Sequence, residues 1–153
     1  MINFLELLFT NQDYDKQNFF LIAGPCVVES EELVFEVAEK VSAICKRHRL
    51  PLIFKSSYKK ANRTSVSSFT GLGDDIGLGI IQKAAKQFSL TTTTDVHSER
   101  EAELAAQFVD VLQIPAFLCR QTELLIAAGK TGRIVNVKKG QFVSGEAMKF
   151  AVE

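Results

Sequence analysis

Several features are scarce in this 153-residue chain, and each shortage excludes a class of protein. The three cysteines lie far apart and form no CxxC pair, which argues against a disulfide-stapled secreted domain and for a reduced, cytoplasmic compartment. The 18 basic residues balance 18 acidic ones, so no overall field favours nucleic acid or anionic lipid. No apolar run approaches the roughly 20 residues of a membrane span. The apolar segment at residues 4–9 lacks the flanks of a signal peptide.

The chain does contain a regular alternation of short β-rich segments and longer amphipathic ones. Strands are predicted at residues 19–23, 52–54, 91–96, 109–114 and 134–137. Helices are predicted at about 31–44, 74–88, 99–107, 121–128 and from 145 onward, with Ser30 as the N-cap of the first. This order is typical of a parallel sheet covered by helices, and it predicts the α/β fold class in one domain without linkers or repeats.

Polar side chains stand at or just beyond the ends of all five predicted strands. They are Cys26, Lys55, Asp95, His97, Gln113 and Lys138. In α/β barrels and open α/β sheets, ligand sites form at the carboxyl edge of the strands. One such residue is by default a solvated loop residue, but five strands that each deliver one indicate a ligand site at this edge.

The densest cluster of basic residues follows the second predicted strand. Among hydroxyl and amide groups, with no carboxylate nearby in sequence, stand Lys55, Lys59, Lys60 and Arg63. Arg as a bidentate fork and Lys as a point charge suit phosphate groups. The alternatives are an exposed basic loop and a nucleic-acid patch. The second is weaker, because only Tyr58 and Phe69 are available to stack on bases.

A second basic pair, Lys138 and Lys139, follows the fifth predicted strand. Two separate cationic groups on one edge indicate two anionic ligands, or one ligand with two anionic ends. Asp95 and Gln113 would then bind sugar hydroxyls or a polar carbonyl.

The cysteines and histidines are less specific. Cys26 is a nucleophile, a metal ligand or an inert residue, and one cysteine alone specifies no metal. Cys45 and Cys119 are interpreted as packing residues and His48 as a surface residue. His97 either orients the site or binds metal, and its spacing does not decide between these roles.

Six motifs together resemble one enzyme family, the 3-deoxy-D-manno-octulosonate 8-phosphate synthases. They cover about residues 19 to 145 in the family's order and read GPCVVES, FKSSYKKANRTSVSSF, TTDVH, QIPAFLCRQTELL, KTG and NVKKGQF. The resemblance implies a (β/α)8 TIM barrel and a homotetrameric, cytoplasmic enzyme. It also implies the transferase reaction, in which phosphoenolpyruvate condenses with D-arabinose 5-phosphate and phosphate is released, for lipopolysaccharide biosynthesis in Gram-negative bacteria.

The resemblance also implies residue roles. The positions that match phosphoenolpyruvate-binding ones are Lys55, Lys60, Gln113 and Lys138. Those that match the pentose phosphate site are Asn62, Arg63 and Ser65. Asp95 matches the residue that meets the sugar near the reacting aldehyde. The implied catalytic residues are Lys60, Asp95 and Lys138.

Cys26 stands where the metal-dependent branch of the family has cysteine and the other branch has asparagine. A divalent metal (Zn, Fe or Mn) is therefore expected for the full-length enzyme, where it would polarise the aldehyde. A (β/α)8 barrel usually needs about 250 residues. We therefore expect an incomplete barrel of five parallel strands over residues 1–153, without strands six to eight and the other metal ligands. Such a chain is expected to be inactive alone and not to hold the metal.

Two alternatives stay open. The related 3-deoxy-heptulosonate 7-phosphate synthases use erythrose 4-phosphate, and their loop typically reads KPRTS. Asn62 and the extra residue between Lys60 and Arg63 favour the five-carbon acceptor, whereas the pair Thr64-Ser65 is more typical of the competitor. Thr70 stands where the favoured family often has arginine, which leaves one phosphate or subunit contact open. The other alternative is a non-catalytic phosphate-binding half-barrel.

Overall fold

Strands and helices alternate along the chain in a computed structural model, which describes residues 4–62, 65 and 67–152. The chain divides into two units, residues 1–93 and 94–153. The helices and strands, with two short 3₁₀ helices, are α1 (Phe4–Leu8), β1 (Leu21–Ala23), α2 (Glu31–His48), β2 (Leu52–Lys55), α3 (Asp74–Phe88), β3 (Thr91–Asp95), α4 (Glu99–Ala105), β4 (Val111–Ile114), a 3₁₀ helix (Ala116–Leu118), α5 (Thr122–Lys130), β5 (Ile134–Val137), a 3₁₀ helix (Glu146–Met148) and α6 (Lys149–Val152). All five predicted strands are present, and the α/β class is confirmed.

In the first unit the strands β1, β2 and β3 pair in parallel. Ala23 lies beside Phe54, and Lys55 beside Thr93, so the carboxyl ends of the strands are level. The first strand begins two residues later than predicted. The reason is local: the Phe19 backbone N–H donates to the Asn18 side chain, and the Phe20 ring packs against the Phe9 ring.

Helix α2 begins where the sequence indicates. Ser30 is its N-cap, and its hydroxyl accepts a hydrogen bond from the Leu33 backbone N–H at 3.1 Å. The buried positions are Val34, Ala38, Ser42 and Cys45. Ile44, predicted on the apolar face, is 48% exposed, because Cys45 occupies the buried position of that turn. Cys45 is a packing residue as predicted, and burial raises the pKa of its thiol.

The N-terminal segment is tied to the amino ends of β2 and β3 by one amide side chain. Gln12 Oε1 accepts from the Leu52 N–H at 2.7 Å, while Gln12 Nε2 donates to the Leu52 carbonyl at 2.9 Å and to Thr91 Oγ1 at 3.3 Å. Thr91 Oγ1 in turn donates to the Leu8 carbonyl. The side chain thus satisfies backbone groups at the start of β2, a role that no sequence pattern indicated.

Replacing Gln12 by alanine is expected to lower the free energy of unfolding by about 1–3 kcal/mol, because the polar groups of Leu52 would lose their partner. Urea unfolding followed by circular dichroism measures this loss. Gln17→Ala is the matched control, since the Gln17 side chain is exposed, and it should stay within about 0.5 kcal/mol of the wild type. Equal midpoints for the two variants would contradict the assigned role.

The second unit contains a parallel pair of strands and the helices that follow β3 and β4. In β4 and β5, Val111 lies beside Ile134 and Ile114 beside Val137. Strand β4 begins at Val111 instead of residue 109, because the Val109 N–H donates to the Ala105 carbonyl and extends the turn that ends α4. The predicted helix from residue 145 is divided between a 3₁₀ turn and α6. In the described part of the chain, no helix is long and apolar enough to cross a membrane.

Candidate functional site

In the first unit, the turn after β1 lies directly against the end of β2. A Cβ atom added to Gly24 would lie 2.1 Å from the Lys55 carbonyl oxygen, so only glycine allows this approach. Val27 then forms a parallel bridge with Ser57, and the Val28 N–H donates to the Ser57 carbonyl at 2.9 Å. The GPC motif therefore places Cys26, which is exposed, next to the carboxyl end of the second strand.

Lys55 is the last residue of β2, as the sequence predicts, and it is held in place. Its ammonium group donates to Ser57 Oγ at 2.8 Å, and Ser57 is itself buried. Tyr58 is completely buried as well, so it cannot stack on a base as the nucleic-acid alternative required. This end of β2 presents a cation among hydroxyl groups, which suits an anionic oxygen.

The polar loop after β2 is closed at its base by backbone pairing. The Lys60 N–H donates to the Thr70 carbonyl at 2.9 Å, and Lys59 forms an antiparallel bridge with Gly71. The closure leaves the implied ligand residues Lys60, Asn62 and Ser65 exposed. Ser65 Oγ lies 2.9 Å from Ser67 Oγ. Arg63 and Thr64 lie outside the described residues.

No carboxylate is near this basic cluster in sequence, but the fold brings one to Lys59. Lys59 Nζ lies 3.3 Å from Asp74 Oδ2, and 5.4 Å from the centre of the Tyr58 ring. Asp74 is distant in sequence but starts α3, where a negative charge suits the helix dipole, and the loop closure brings it back to Lys59. The charge of Lys59 is therefore offset by Asp74.

In the second unit, three polar side chains on neighbouring strands form a directional row of hydrogen bonds. Asn136 Nδ2 donates to Gln113 Oε1 at 2.9 Å, and Gln113 Nε2 donates to Asp95 Oδ1 at 2.7 Å. Gln113 is only 5% exposed, and its amide orientation is fixed from both sides. The structure thus brings the two predicted residues Asp95 and Gln113 together, and it adds Asn136.

Asn136 was missed in the sequence, although a signal was present. It is the polar residue in the predicted strand IVNV, and Gln113 is its register partner on β4. Because side chains alternate between the two faces of a strand, Asn136 and Gln113 point to the same face. The sequence signal for Asn136 is therefore a polar residue inside an otherwise apolar strand.

The two lysines after β5 make different contacts. Lys138 is exposed, and its backbone N–H donates to the Ile114 carbonyl at 3.0 Å. Lys139 Nζ donates instead to the Gly140 and Val143 carbonyls, each at 2.9 Å. The ammonium of Lys139 therefore holds the following turn, in addition to the positive charge that the sequence predicts for this edge.

The remaining candidates are placed as follows. Cys119 is buried and so is a packing residue, whereas His48 is exposed; both predictions are confirmed. Among the described residues, no group of three or more His, Cys, Asp or Glu side chains could hold a metal ion. Cys26 alone supplies too few ligands to hold a metal.

The strand ends of the first unit present cationic and hydroxyl groups, and those of the second unit present cationic, amide and carboxylate groups. Such groups at the carboxyl ends of parallel strands suit small anionic ligands. Residues 12–153 match the DAHP synthetase I family, and the chain belongs to that family. Membership agrees with the (β/α)-barrel class that the motifs implied.

The names of individual relatives are more specific than the name of the family. The chain is 58% identical over 133 residues to a 2-dehydro-3-deoxyphosphooctonate aldolase of Koribacter versatilis, an alignment that covers 87% of the chain and 48% of the relative. Proteins of the same name from Trichlorobacter lovleyi and Paraburkholderia phymatum are 54% and 53% identical, over 86% and 88% of the chain and 48% of each relative. The chain thus spans about half the length of these relatives. Because 2-dehydro-3-deoxyphosphooctonate is another name for the octulosonate 8-phosphate, the resemblance found in the motifs is confirmed.

Proposed function

We propose that this chain belongs to an enzyme that condenses phosphoenolpyruvate with D-arabinose 5-phosphate and releases phosphate, giving 3-deoxy-D-manno-octulosonate 8-phosphate for lipopolysaccharide biosynthesis. The row Asp95–Gln113–Asn136 carries the proposal. The row presents a carboxylate beside an oriented amide, and such groups suit the hydroxyls of a polyhydroxylated substrate. The names of the relatives support the same reaction.

In the first unit, we assign phosphate and carboxylate recognition to the basic groups after β2. Lys55 is held among hydroxyl groups, and Lys60 is exposed at the base of the closed loop. We assign both to phosphoenolpyruvate. Asn62 and Ser65, with Arg63 outside the described residues, are assigned to the pentose phosphate. Lys59 is not included, because Asp74 offsets its charge.

In the second unit, Gln113 and Lys138 are assigned to phosphoenolpyruvate and Asp95 to the sugar near its aldehyde. A buried, oriented amide fixes position at little entropic cost, and an exposed ammonium supplies charge. Of these assigned residues, Lys60, Asp95 and Lys138 are the proposed catalytic ones. A divalent metal with Cys26 as one ligand, a homotetramer and a cytoplasmic location complete the proposal.

Calorimetric titration of the 153-residue chain tests the proposed ligands. We expect phosphoenolpyruvate to bind, and D-arabinose 5-phosphate to bind more tightly than D-erythrose 4-phosphate. Lys60→Ala should weaken phosphoenolpyruvate binding by about tenfold or more, the typical loss of one hydrogen bond to a charged group. Lys16→Ala removes an exposed lysine outside the assigned residues and serves as the control.

The titration also separates the alternatives. A preference for D-erythrose 4-phosphate would favour the heptulosonate 7-phosphate reaction. Equal weakening by Lys60→Ala and Lys16→Ala would show that binding is a general charge effect, and would contradict the assigned site. Binding of both ligands by a longer family member carrying this segment, without phosphate release, would favour a non-catalytic role.

A further inference from the structure

His97 lies two residues beyond Asp95, and a single carboxylate oxygen of Glu101 contacts both its backbone and its ring. Glu101 Oε2 accepts a hydrogen bond from the His97 backbone N–H at 3.0 Å and lies 2.9 Å from the ring Nδ1. Both side chains are only 14% exposed. An ionised carboxylate has no proton to donate, so Nδ1 must carry the proton in this contact.

The imidazole ring is also confined on one face. The Phe117 ring stacks on it with centroids 6.4 Å apart and planes inclined by 22°. Within the described part of the chain, Nε2 makes no hydrogen bond. With Nδ1 protonated, the neutral ring therefore has its lone pair on Nε2, which makes Nε2 a hydrogen-bond acceptor.

Glu101 also takes part in the start of α4. Ser98 is the N-cap, and its hydroxyl accepts from the Glu101 N–H at 3.3 Å. In the usual capping box, the glutamate would reach back to the N-cap residue's own N–H. Here it reaches one residue further, to His97. Helix capping alone does not explain the contact with Nδ1, so the two roles of Glu101 can be separated by mutation.

We propose that Glu101 is a positioning residue that keeps His97 protonated at Nδ1, so that Nε2 accepts a hydrogen bond from a hydroxyl group of a sugar phosphate. The choice of ligand rests on the proposed function, whereas the geometry of the pair does not. A phosphate dianion has no proton to donate to Nε2. A sugar hydroxyl, in contrast, can donate a hydrogen bond to it. Glu101 therefore favours the hydroxyl end of such a ligand over its phosphate end.

The protonated ring nitrogen is observable by two-bond ¹H–¹⁵N correlation of the histidine side chains in the wild-type chain. We expect the pattern of the Nδ1–H form for His97. His48 is exposed and serves as the internal reference for a histidine without such a carboxylate. Observation of the Nε2–H form for His97 would overturn the inference.

Three variants separate positioning from capping. Glu101→Ala should lose the Nδ1–H pattern, and Glu101→Gln should shift it towards a mixture, because a carboxamide can either accept from or donate to Nδ1. Ser98→Ala removes the hydroxyl cap but leaves the carboxylate beside the ring, so its pattern should be unchanged. If Glu101→Ala unfolds α4, the glutamine variant still decides. A wild-type pattern in Glu101→Gln and in a folded Glu101→Ala would contradict the positioning role.

Ligand titration of the same variants tests the hydroxyl contact. Glu101→Gln should weaken D-arabinose 5-phosphate binding by about tenfold, the scale of one hydrogen bond, and leave inorganic phosphate binding unchanged. Equal weakening for both ligands would overturn the assignment to a hydroxyl. If the wild-type chain binds no sugar phosphate, the proposed function and the hydroxyl contact both fail, while a Glu101-dependent Nδ1–H pattern would still establish the positioning.

Discussion

Replacing Gly24 by alanine is expected to destabilise the first unit by about 3 kcal/mol or more, among the largest effects of a single methyl group. The added Cβ would lie 2.1 Å from the Lys55 carbonyl oxygen and 3.1 Å from the Phe54 ring, and Gly24 has a φ of +155°. The nearest atoms belong to the backbone of β2, which cannot move aside without breaking strand pairing. Urea unfolding measures the loss.

Gly79→Ala is the matched control. Gly79 lies inside α3, and nothing stands within 4 Å of its added Cβ. That substitution should stabilise the chain by up to about 1 kcal/mol, since alanine is the better helix former. The Gly24 variant should also lose phosphoenolpyruvate binding, because relief of the clash displaces Lys55. A Gly24→Ala chain as stable as the Gly79→Ala chain would show that the close approach of the two strand ends is wrong.

Replacing Asn136 by aspartate is expected to destabilise the second unit by about 2 kcal/mol, through a reversal of hydrogen-bond direction. An aspartate at 136 can only accept, so Gln113 must turn its amide to donate to it. The Gln113 carbonyl oxygen then faces Asp95 Oδ1. The present hydrogen bond between Gln113 and Asp95 is thereby replaced by repulsion between two oxygens. Thermal and urea unfolding give the magnitude, and Asn136→Ala gives the loss of the amide alone.

A double variant makes this prediction sharp. With Asp95→Asn added to Asn136→Asp, residue 95 can donate to Gln113 Oε1 and Gln113 Nε2 can donate to residue 136. The row is then restored in the opposite direction. We expect the double variant to be more stable than the sum of the single changes predicts, with a coupling of about 1–2 kcal/mol. Additive losses would show that the three side chains do not act as one network.

Much of the fold could be predicted from the sequence because periodicity and caps are local signals. Helix α3 has the predicted bounds, and Ser30 is the predicted N-cap of α2. The errors lie at strand starts, where contacts of individual side chains and backbone groups decide. Phe20 packs on Phe9, and Val109 completes the turn of α4. The hydrogen bonds between Gln12 and Leu52 join residues 40 apart in sequence, and no local pattern reveals such a contact.

The candidate site shows the same division. Because the strands are recognisable in the sequence, the positions of Lys55 at the end of β2, and of Asp95 and Gln113 near the ends of β3 and β4, could be predicted. Side-chain partners were not predictable in this way. The Lys59–Asp74 ion pair depends on closure of the loop, and the direction of the Asn136–Gln113–Asp95 row depends on amide orientation. Residue type alone thus indicated a class of ligand, whereas the hydrogen bonds of each side chain became visible only in the structure.

Mapping of phosphoenolpyruvate binding by ¹H–¹⁵N spectra of the 153-residue chain is the most direct test of the proposed site. The predicted result is ligand-dependent shifts at Lys55 and Lys60 in the first unit, and at the Gln113 side chain and Lys138 in the second. The first unit also has a cavity of about 250 Å³ at the amino ends of β2 and β3, lined by residues that include Cys45 and Leu90. Shifts confined to that cavity, with none at the four predicted residues, would contradict the account.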